Sequence, residues 1–209
     1  PALIGFAESA PESKFGGFTS DFLKDNLAQL IADMEMAANR VTKIVADLRA
    51  FSRMDQGELA EADLNDEIER TLTLMEPRCK NCIAIERDFE ALPRVRCHAG
   101  QLNQAFLNLL MNACDAIGDR GRITVRTRAR NGLVRLEFED DGPGIPADVR
   151  DRVFEPFYTT KPVGQGTGLG LSLTHGIIER HTGRIWVEPA DGSGTRFVIE
   201  LPASRPERN

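Results

Sequence analysis

Three short stretches of the sequence hold side chains suited to binding a divalent cation, an amino group and phosphate. The first is Asn108, Asn112 and Asp115, which a helix at ~100° per residue gathers into one narrow sector. Opposite them Leu102, Phe106, Leu109, Leu110, Ala113 and Ile117 make an apolar face. Asparagine is a mediocre helix former, so two of them at i and i+4 among good formers ask for a reason. A carboxamide oxygen is a suitable hard ligand for Mg²⁺, whose other ligands are commonly waters and phosphate oxygens. An ordinary solvated helix face accounts for the same pattern.

The second stretch runs from Asp140 and Asp141 through Gly142, Pro143, Gly144 and Ile145 to Pro146. Strand alternation puts Val134, Leu136, Phe138 and Asp140 on one face and turns Asp141 away. A carboxylate at the edge of an apolar pocket is costly unless something donates to it, and an adenine amino group would serve. A plain strand-end turn would use the same residues. The third stretch, Gly164 to Gly170, places glycines 164, 166, 168 and 170 at every second position and runs straight into a helix. Backbone amides at such a helix start form an anion site suited to a triphosphate. A flexible linker is the rival reading, against which the helix that follows at once speaks. The stretch matches neither the Walker A pattern nor a dinucleotide fingerprint. Just before it, Phe154 to Lys161 puts aromatics, hydroxyls and one cation in a loop.

These stretches need a mixed α and β framework to hold them. The patterning predicts a helix over Asn65 to Met75 and a strand over Cys82 to Phe89, with Ile83 and Ile85 on one face. A short strand around Val95 leads to a helix from Gly100 to Ile117. Strands Ile123 to Arg130 and Leu133 to Asp140 flank Asn131-Gly132, the strongest short hairpin signal in the chain. A helix from Leu169 to His181 follows, then strands Arg184 to Pro189 and Thr195 to Leu201. Strands and helices do not alternate as in βαβ units, so the expected class is α+β, a sandwich with helices over one face of a mixed sheet.

Upstream the grammar differs. Leu23, Leu27, Leu30, Met34, Ala37, Val41, Ile44, Leu48 and Phe51 are spaced alternately by four and three. That heptad pattern argues for a long helix packed in coiled-coil geometry, and Ile31 and Val45 widen the stripe toward a bundle. Thr19, Ser20 and Asp21 offer caps after Gly16-Gly17, and Gly57 lies past the end. Leu3, Ile4 and Phe6 form a shortened first arm of a helical hairpin. One such hairpin cannot cover its own stripe, so two copies are expected to form a four-helix dimer; packing against the rest of its own chain is the alternative. The acidic stretch 55 to 69 reads as a solvated connection and helix start, and no function is assigned to it.

Composition closes off other classes. The 209 residues are 41% hydrophobic and 28% charged with a net charge of −6, which excludes disordered, collagenous and low-complexity chains. The negative balance gives no reason to expect nucleic acid as a partner. No apolar run is long enough to span a membrane, and no signal segment is visible. Four cysteines at irregular spacing suggest no disulfide framework and hence a reducing cytoplasm. A zinc site from Cys79, Cys82, Cys97 and His98 is disfavoured, because neighbours 97 and 98 in a strand point to opposite faces. Small buried thiols are the preferred reading, with Cys114 near the core.

In their order and spacing these stretches resemble a two-component sensor histidine kinase, in the GHKL ATPase superfamily with its Bergerat nucleotide-binding fold. Asn108 to Ala113 is similar to the family's N box, Asp140 to Gly144 to its G1 box and Phe154 to Lys161 to its F box. Gly164 to Gly170 resembles the G2 box and Gly192 to Thr195 the last glycine box, while Arg49 to Arg53 looks like the end of the dimerisation hairpin's second helix. The resemblance implies two domains, a dimerisation and histidine-phosphotransfer hairpin over 1–56 and a catalytic ATP-binding domain over 57–209. It further implies that Asn112 holds Mg²⁺, that Asn108 and Asp115 line the nucleotide site, and that Asp140 accepts from the adenine amino group. Gly142, Gly144, Ile145, Gly164, Gly166, Thr167, Gly168, Leu169 and Gly170 would border the nucleotide, with Thr195 behind the base. Tyr158, Thr160 and Lys161 are its candidates for phosphate contact.

The implied activity is that of an ATP-dependent protein-histidine kinase, passing the γ-phosphoryl of ATP to a histidine and then to an aspartate of a response regulator receiver domain. Implied partners are a second copy through residues 1–56, that receiver domain and an upstream sensor domain. The implied location is the cytoplasm, free or as part of a membrane-anchored sensor. One departure stands out. The family's acceptor begins a His-Glu-x-x-x-Pro motif, yet no histidine precedes His98. Pro1 resembles the proline end of that motif, so the chain reads as a fragment cut just after its acceptor and unable to phosphorylate itself; the alternative is that Pro1 is accidental and the natural protein lacks the acceptor. Rival readings are another GHKL ATP-binding protein, such as a protein serine kinase or an ATPase, and a dimeric nucleotide-binding scaffold.

Overall fold

In a computed structural model of the chain, Asn131 and Gly132 both take positive φ, 53° and 78°. That two-residue turn matches the twist of the strands it joins and pairs Arg130 with Leu133. The register then runs without slippage to Ile123 opposite Asp140. The structure describes residues 26–38, 41–42, 45, 58–79, 83–162, 166–190 and 192–204. The chain divides into two compact units, Pro1–Ala46 with Lys161–Gly166, and Asp47–Thr160 with Thr167–Asn209.

In the first unit residues 26–38 are helical, as the heptad spacing predicts. Leu27, Leu30, Ile31, Met34, Val41 and Val45 are all exposed. The shortened first arm, the caps and the Arg49 to Arg53 end of the stripe lie outside the described residues.

The second unit is α+β. Its elements are β1 (Ala60–Ala62), α1 (Leu64–Cys79), β2 (Ile83–Phe89), β3 (Val95–Cys97), α2 (Ala99–Ile117), β4 (Gly121–Arg130), β5 (Leu133–Asp140), α3 (Gly170–Arg180), β6 (Arg184–Pro189) and β7 (Thr195–Pro202). Five strands form a mixed sheet in the order β2-β4-β5-β7-β6, with only the β2–β4 pair parallel. Ile123, Val125, Val134, Leu136, Phe138, Phe197, Ile199 and Leu201 alternate along the strands and join one core with Ile68, Leu72, Leu102, Phe106, Leu109, Leu110, Leu173 and Ile177 of the helices. Phe106 of α2 stacks on Phe138 of β5 with ring centroids 5.5 Å apart.

Two features depart from the expectation. The acidic stretch contains a strand, β1, that pairs with β3 in a small antiparallel sheet. Its sequence Ala-Glu-Ala has no strand pattern, so only the pairing with buried Val95 and Cys97 specifies it. Helix α1 also continues past Met75 and through Pro77 to Cys79. Proline removes an amide from the ladder, yet Met75 and Cys79 are both buried, and their packing carries the last turn.

Candidate functional site

Asp140 ends β5 on the apolar face, as alternation requires, and is only 3% exposed. Its Oδ1 accepts from the Gly142 amide at 3.0 Å, and the Thr195 backbone amide also donates to the carboxylate. Burial outweighs these donors and pushes Asp140 up to about 6, with Asp141 and Glu139 adding to the push. Asp141 points the other way, is exposed, and accepts from the Arg122 amide at 2.8 Å.

Thr195, buried at 4%, sits opposite Asp140 in the β5–β7 pairing. The approach between these strands closes over glycine. Gly194 has φ 125°, and a Cβ there would overlap the carbonyl oxygen of Asp140. Gly144 in turn lies against the Gly194 carbonyl, where a Cβ would come within 2.9 Å. Gly142 stands over the last turn of α2, with Ala116 3.3 Å from where its Cβ would be. Ile145 is half-buried against the core, and its carbonyl accepts from Arg150 Nε at 3.0 Å. Asp140, Gly142, Gly144 and Thr195 therefore form one interlocked group at the end of the sheet, beside the residue that follows Asp115.

On α2 the three polar residues are not equivalent. Asn108 is half-buried rather than turned to solvent, and its Nδ2 donates to the Gly170 carbonyl at 3.2 Å and to Thr174 Oγ1 at 3.5 Å. Its Oδ1 accepts from Gln104 Nε2 at 3.3 Å. The helical wheel puts Asn108 opposite the apolar face, but α2 packs between α1 and α3 as well as on the sheet, so that sector is an interhelical seam. Asn112, one turn on, is half-buried, and Asp115 is exposed.

The glycine run is divided. Gly164 lies outside the described residues, and Lys161 and Gly166 belong to the first unit. In the second unit Thr167 is buried and its Oγ1 accepts from the Leu169 amide at 3.3 Å. The Leu169 carbonyl accepts from Ser172 Oγ and the Leu173 amide, which starts α3 at Gly170. Gly168 has φ 67°, and the space beside it holds the backbone of Phe157, whose amide donates to the Gly168 carbonyl at 2.9 Å. Its lack of a side chain therefore serves a contact within the protein. Tyr158 lies under the Arg152 guanidinium at 4.7 Å, and Thr160 is exposed.

Two participants escape sequence reasoning. Gly194 was legible only as part of the Gly192 to Thr195 run, with nothing to say that it, more than Gly192, meets Asp140. Thr174 shares the Gly170 carbonyl with Asn108, its own Oγ1 donating at 2.9 Å, and is fully buried. A hydroxyl one turn into an apolar helix is the signal that could have marked it.

The histidines are placed for structure. His98 precedes α2 and donates its backbone amide to His181 Nε2 at 3.0 Å, so His181 Nδ1–H donates to the Ile177 carbonyl at 2.7 Å. Burial pushes the His181 imidazole below its ordinary value. His175 lies against Phe154 on α3.

Residues 97–205 match the family described as histidine kinase-, DNA gyrase B-, and HSP90-like ATPase. The sensor kinase CckA of Brucella abortus (strain 2308) is 38% identical over 188 residues, covering 82% of this chain and 20% of that protein. The nucleotide-free catalytic domain of the histidine kinase ThkA superposes with a TM-score of 0.64 at 34% identity, covering 69% of this chain and 95% of that one. ThkA in complex with the response regulator TrrA gives 0.67 at 26% identity, covering 99% of this chain and 57% of that one. The chain thus spans about a fifth of the length of its curated relative CckA.

Proposed function

For a chain that belongs to the histidine kinase-, DNA gyrase B-, and HSP90-like ATPase family, and within it to the two-component sensor histidine kinases, we propose a specific division of labour. Residues 57–209 form the ATP-binding catalytic domain, and 1–56 form a dimerisation hairpin that pairs with a second copy. The observation that carries this reading is the carboxylate of Asp140, buried at a sheet end among backbone amides.

Asp140 accepts from the adenine amino group, a further donor beside the Gly142 and Thr195 amides that offsets the cost of burying the carboxylate. Thr195 backs the base, and Gly142, Gly144 and Ile145 border it. Asn108 holds the start of α3 through Gly170 and Thr174, so the Gly168 and Gly170 amides face the phosphates in a fixed direction. Tyr158 and Thr160 complete the phosphate side. The donor set suits Mg²⁺: Asn112 would hold it through a half-buried carboxamide oxygen, and the exposed carboxylate of Asp115 three residues on would add negative charge beside it. When bound, Mg²⁺ neutralises charge on the transferring phosphoryl group.

The acceptor is a histidine other than the three in this chain. His181 is buried with both ring nitrogens engaged, His98 abuts it at the start of α2, and His175 packs on Phe154. A receiver-domain aspartate takes the phosphoryl next, by analogy with the partner of ThkA, and the reaction belongs on the cytoplasmic side, where ATP is held. Among the described residues no helix is long and apolar enough to cross a membrane.

Calorimetric titration with Mg-ATP tests this assignment. Asp140→Asn and Asn112→Asp should each weaken binding at least tenfold, and the chain alone should form no acid-labile phosphohistidine. Unchanged affinity in either variant, or label on His98, His175 or His181, would overturn it.

A further inference from the structure

Two buried thiols meet where the end of α1 crosses the end of α2. Cys79 Sγ lies 3.6 Å from Cys114 Sγ, and the two residues are 5% and 6% exposed. A disulfide needs about 2.05 Å between sulfurs, so the sulfurs have little further to travel. They come from positions 35 residues apart. The surrounding core fixes both helices, since Met75 and Ala113 beside them are also buried.

The two ends differ in how firmly they are held. Cys79 is the last residue of α1, and Pro77 two positions earlier has no amide to donate back to the Thr73 carbonyl. That terminal turn is the part of α1 that can open and let a reagent reach a buried sulfur. Cys114 lies inside α2, where its carbonyl accepts from the Gly118 amide at 3.2 Å. The neighbouring residues are Asn112, Asp115 and Ala116, the last of which touches the Gly142 turn. Cys97 offers no such chemistry: it is fully buried beside Glu67 and Glu61, and burial pushes its thiol up to about 11.

We propose that Cys79 and Cys114 form a reversible disulfide that turns down nucleotide binding by tying the loose last turn of α1 onto the last turn of α2. The step is thiol–disulfide exchange with a small-molecule disulfide of the glutathione type. The Cys79 thiolate attacks one sulfur of the oxidant and releases one equivalent of its thiol. The Cys114 thiolate then displaces the second equivalent. The pair loses two electrons and two protons, and the oxidant gains them as two thiols. Closing the gap draws the loose last turn of α1 onto α2 and strains the turn that carries Asn112 and Asp115. Binding geometry of this kind is sensitive to shifts of about 1 Å.

The effect on affinity rests on the nucleotide-site reading above, whereas the cross-link does not. The test uses the full chain, its Cys82→Ser,Cys97→Ser form, and that form with Cys79→Ala or Cys114→Ala added. Each is incubated with oxidised glutathione or with dithiothreitol. Intact mass should fall by about 2 Da in the two-cysteine form, peptide mapping should join residues 79 and 114, and neither alanine form should lose that mass. Mg-ATP should bind the reduced protein normally and the oxidised protein at least threefold more weakly, with recovery on reduction. Absence of the 79–114 cross-link, or a quantitative cross-link with unchanged affinity, overturns the proposal. A reduced protein that binds no Mg-ATP while the cross-link still forms refutes the nucleotide-site reading instead, and with it the effect on affinity.

Discussion

The two faces of the five-stranded sheet are built from the same strands and do opposite work. On the inner face Val125, Val134, Leu136, Phe138, Phe197 and Ile199 are buried under the helices. On the outer face alternate residues of the same strands carry Arg126, Arg135 and Arg196, interleaved with Glu137, Glu139, Glu188 and Glu200. Trp186 lies among them, its Nε1–H donating to Glu188 at 2.7 Å and its ring beneath the Arg135 guanidinium. Their cover is deep enough that Val198, on that outer face, is fully buried. The charged lattice keeps the outer face soluble and in register. The apolar face supplies the stability, and the one carboxylate on its edge, Asp140, is a stability cost taken on for chemistry.

The contrast breaks most visibly in the core. Leu136→Ala is expected to cost about 3 kcal/mol through lost transfer energy and a cavity, while Glu86→Ala on the outer face, half-exposed in its pair with Arg122, costs no more than about 1 kcal/mol. Urea unfolding of the pair measures both, and equal losses would contradict the division between faces. Next, Gly194→Ala should destabilise by about 2 kcal/mol or more, because φ 125° is strained for alanine and its methyl would overlap the Asp140 carbonyl.

Asp140→Asn should act in the other direction. The native carboxyl titrates at about 6 against a reference of 3.8, so between those values the folded state holds more of the proton than the unfolded state. Stability from this group therefore falls as pH rises through that window, and its cost is complete above about 6. The variant should gain on the order of 2 kcal/mol at pH 8 and little at pH 3.5, while losing nucleotide binding. Equal shifts at both pH values would refute the burial argument. Smallest is the exposed rim of the outer lattice: a double-mutant cycle on Arg122 and Glu86, 3.2 Å apart, should return about 0.5 kcal/mol and shrink in salt.

Much of this fold could be read from local signals. Asn131-Gly132 fixed a hairpin and its register, and period-two alternation assigned Asp140 inward and Asp141 outward. The helical pattern from Leu102 to Ile117 gave α2 to within a residue of its start at Ala99. Strand β1 was not legible, since Ala60–Ala62 is specified by a partner 35 residues away. The heptad stripe told of a helix but not of what covers it, and among the described residues its large apolar side chains are exposed.

The site divides the same way. By themselves the residues determined which side chains could hold a cation, an amino group and phosphate, because residue type and spacing set donor chemistry and helix or strand face. Tertiary structure alone decided that Asn108 is spent on Gly170 and Thr174, that Gly168 yields its space to Phe157, and that Gly194 does so to Asp140. It also decided how far the Asp140 carboxyl is raised. Each of those outcomes depends on which distant backbone comes within a few ångströms, and on how much water is excluded there. No local pattern encodes either.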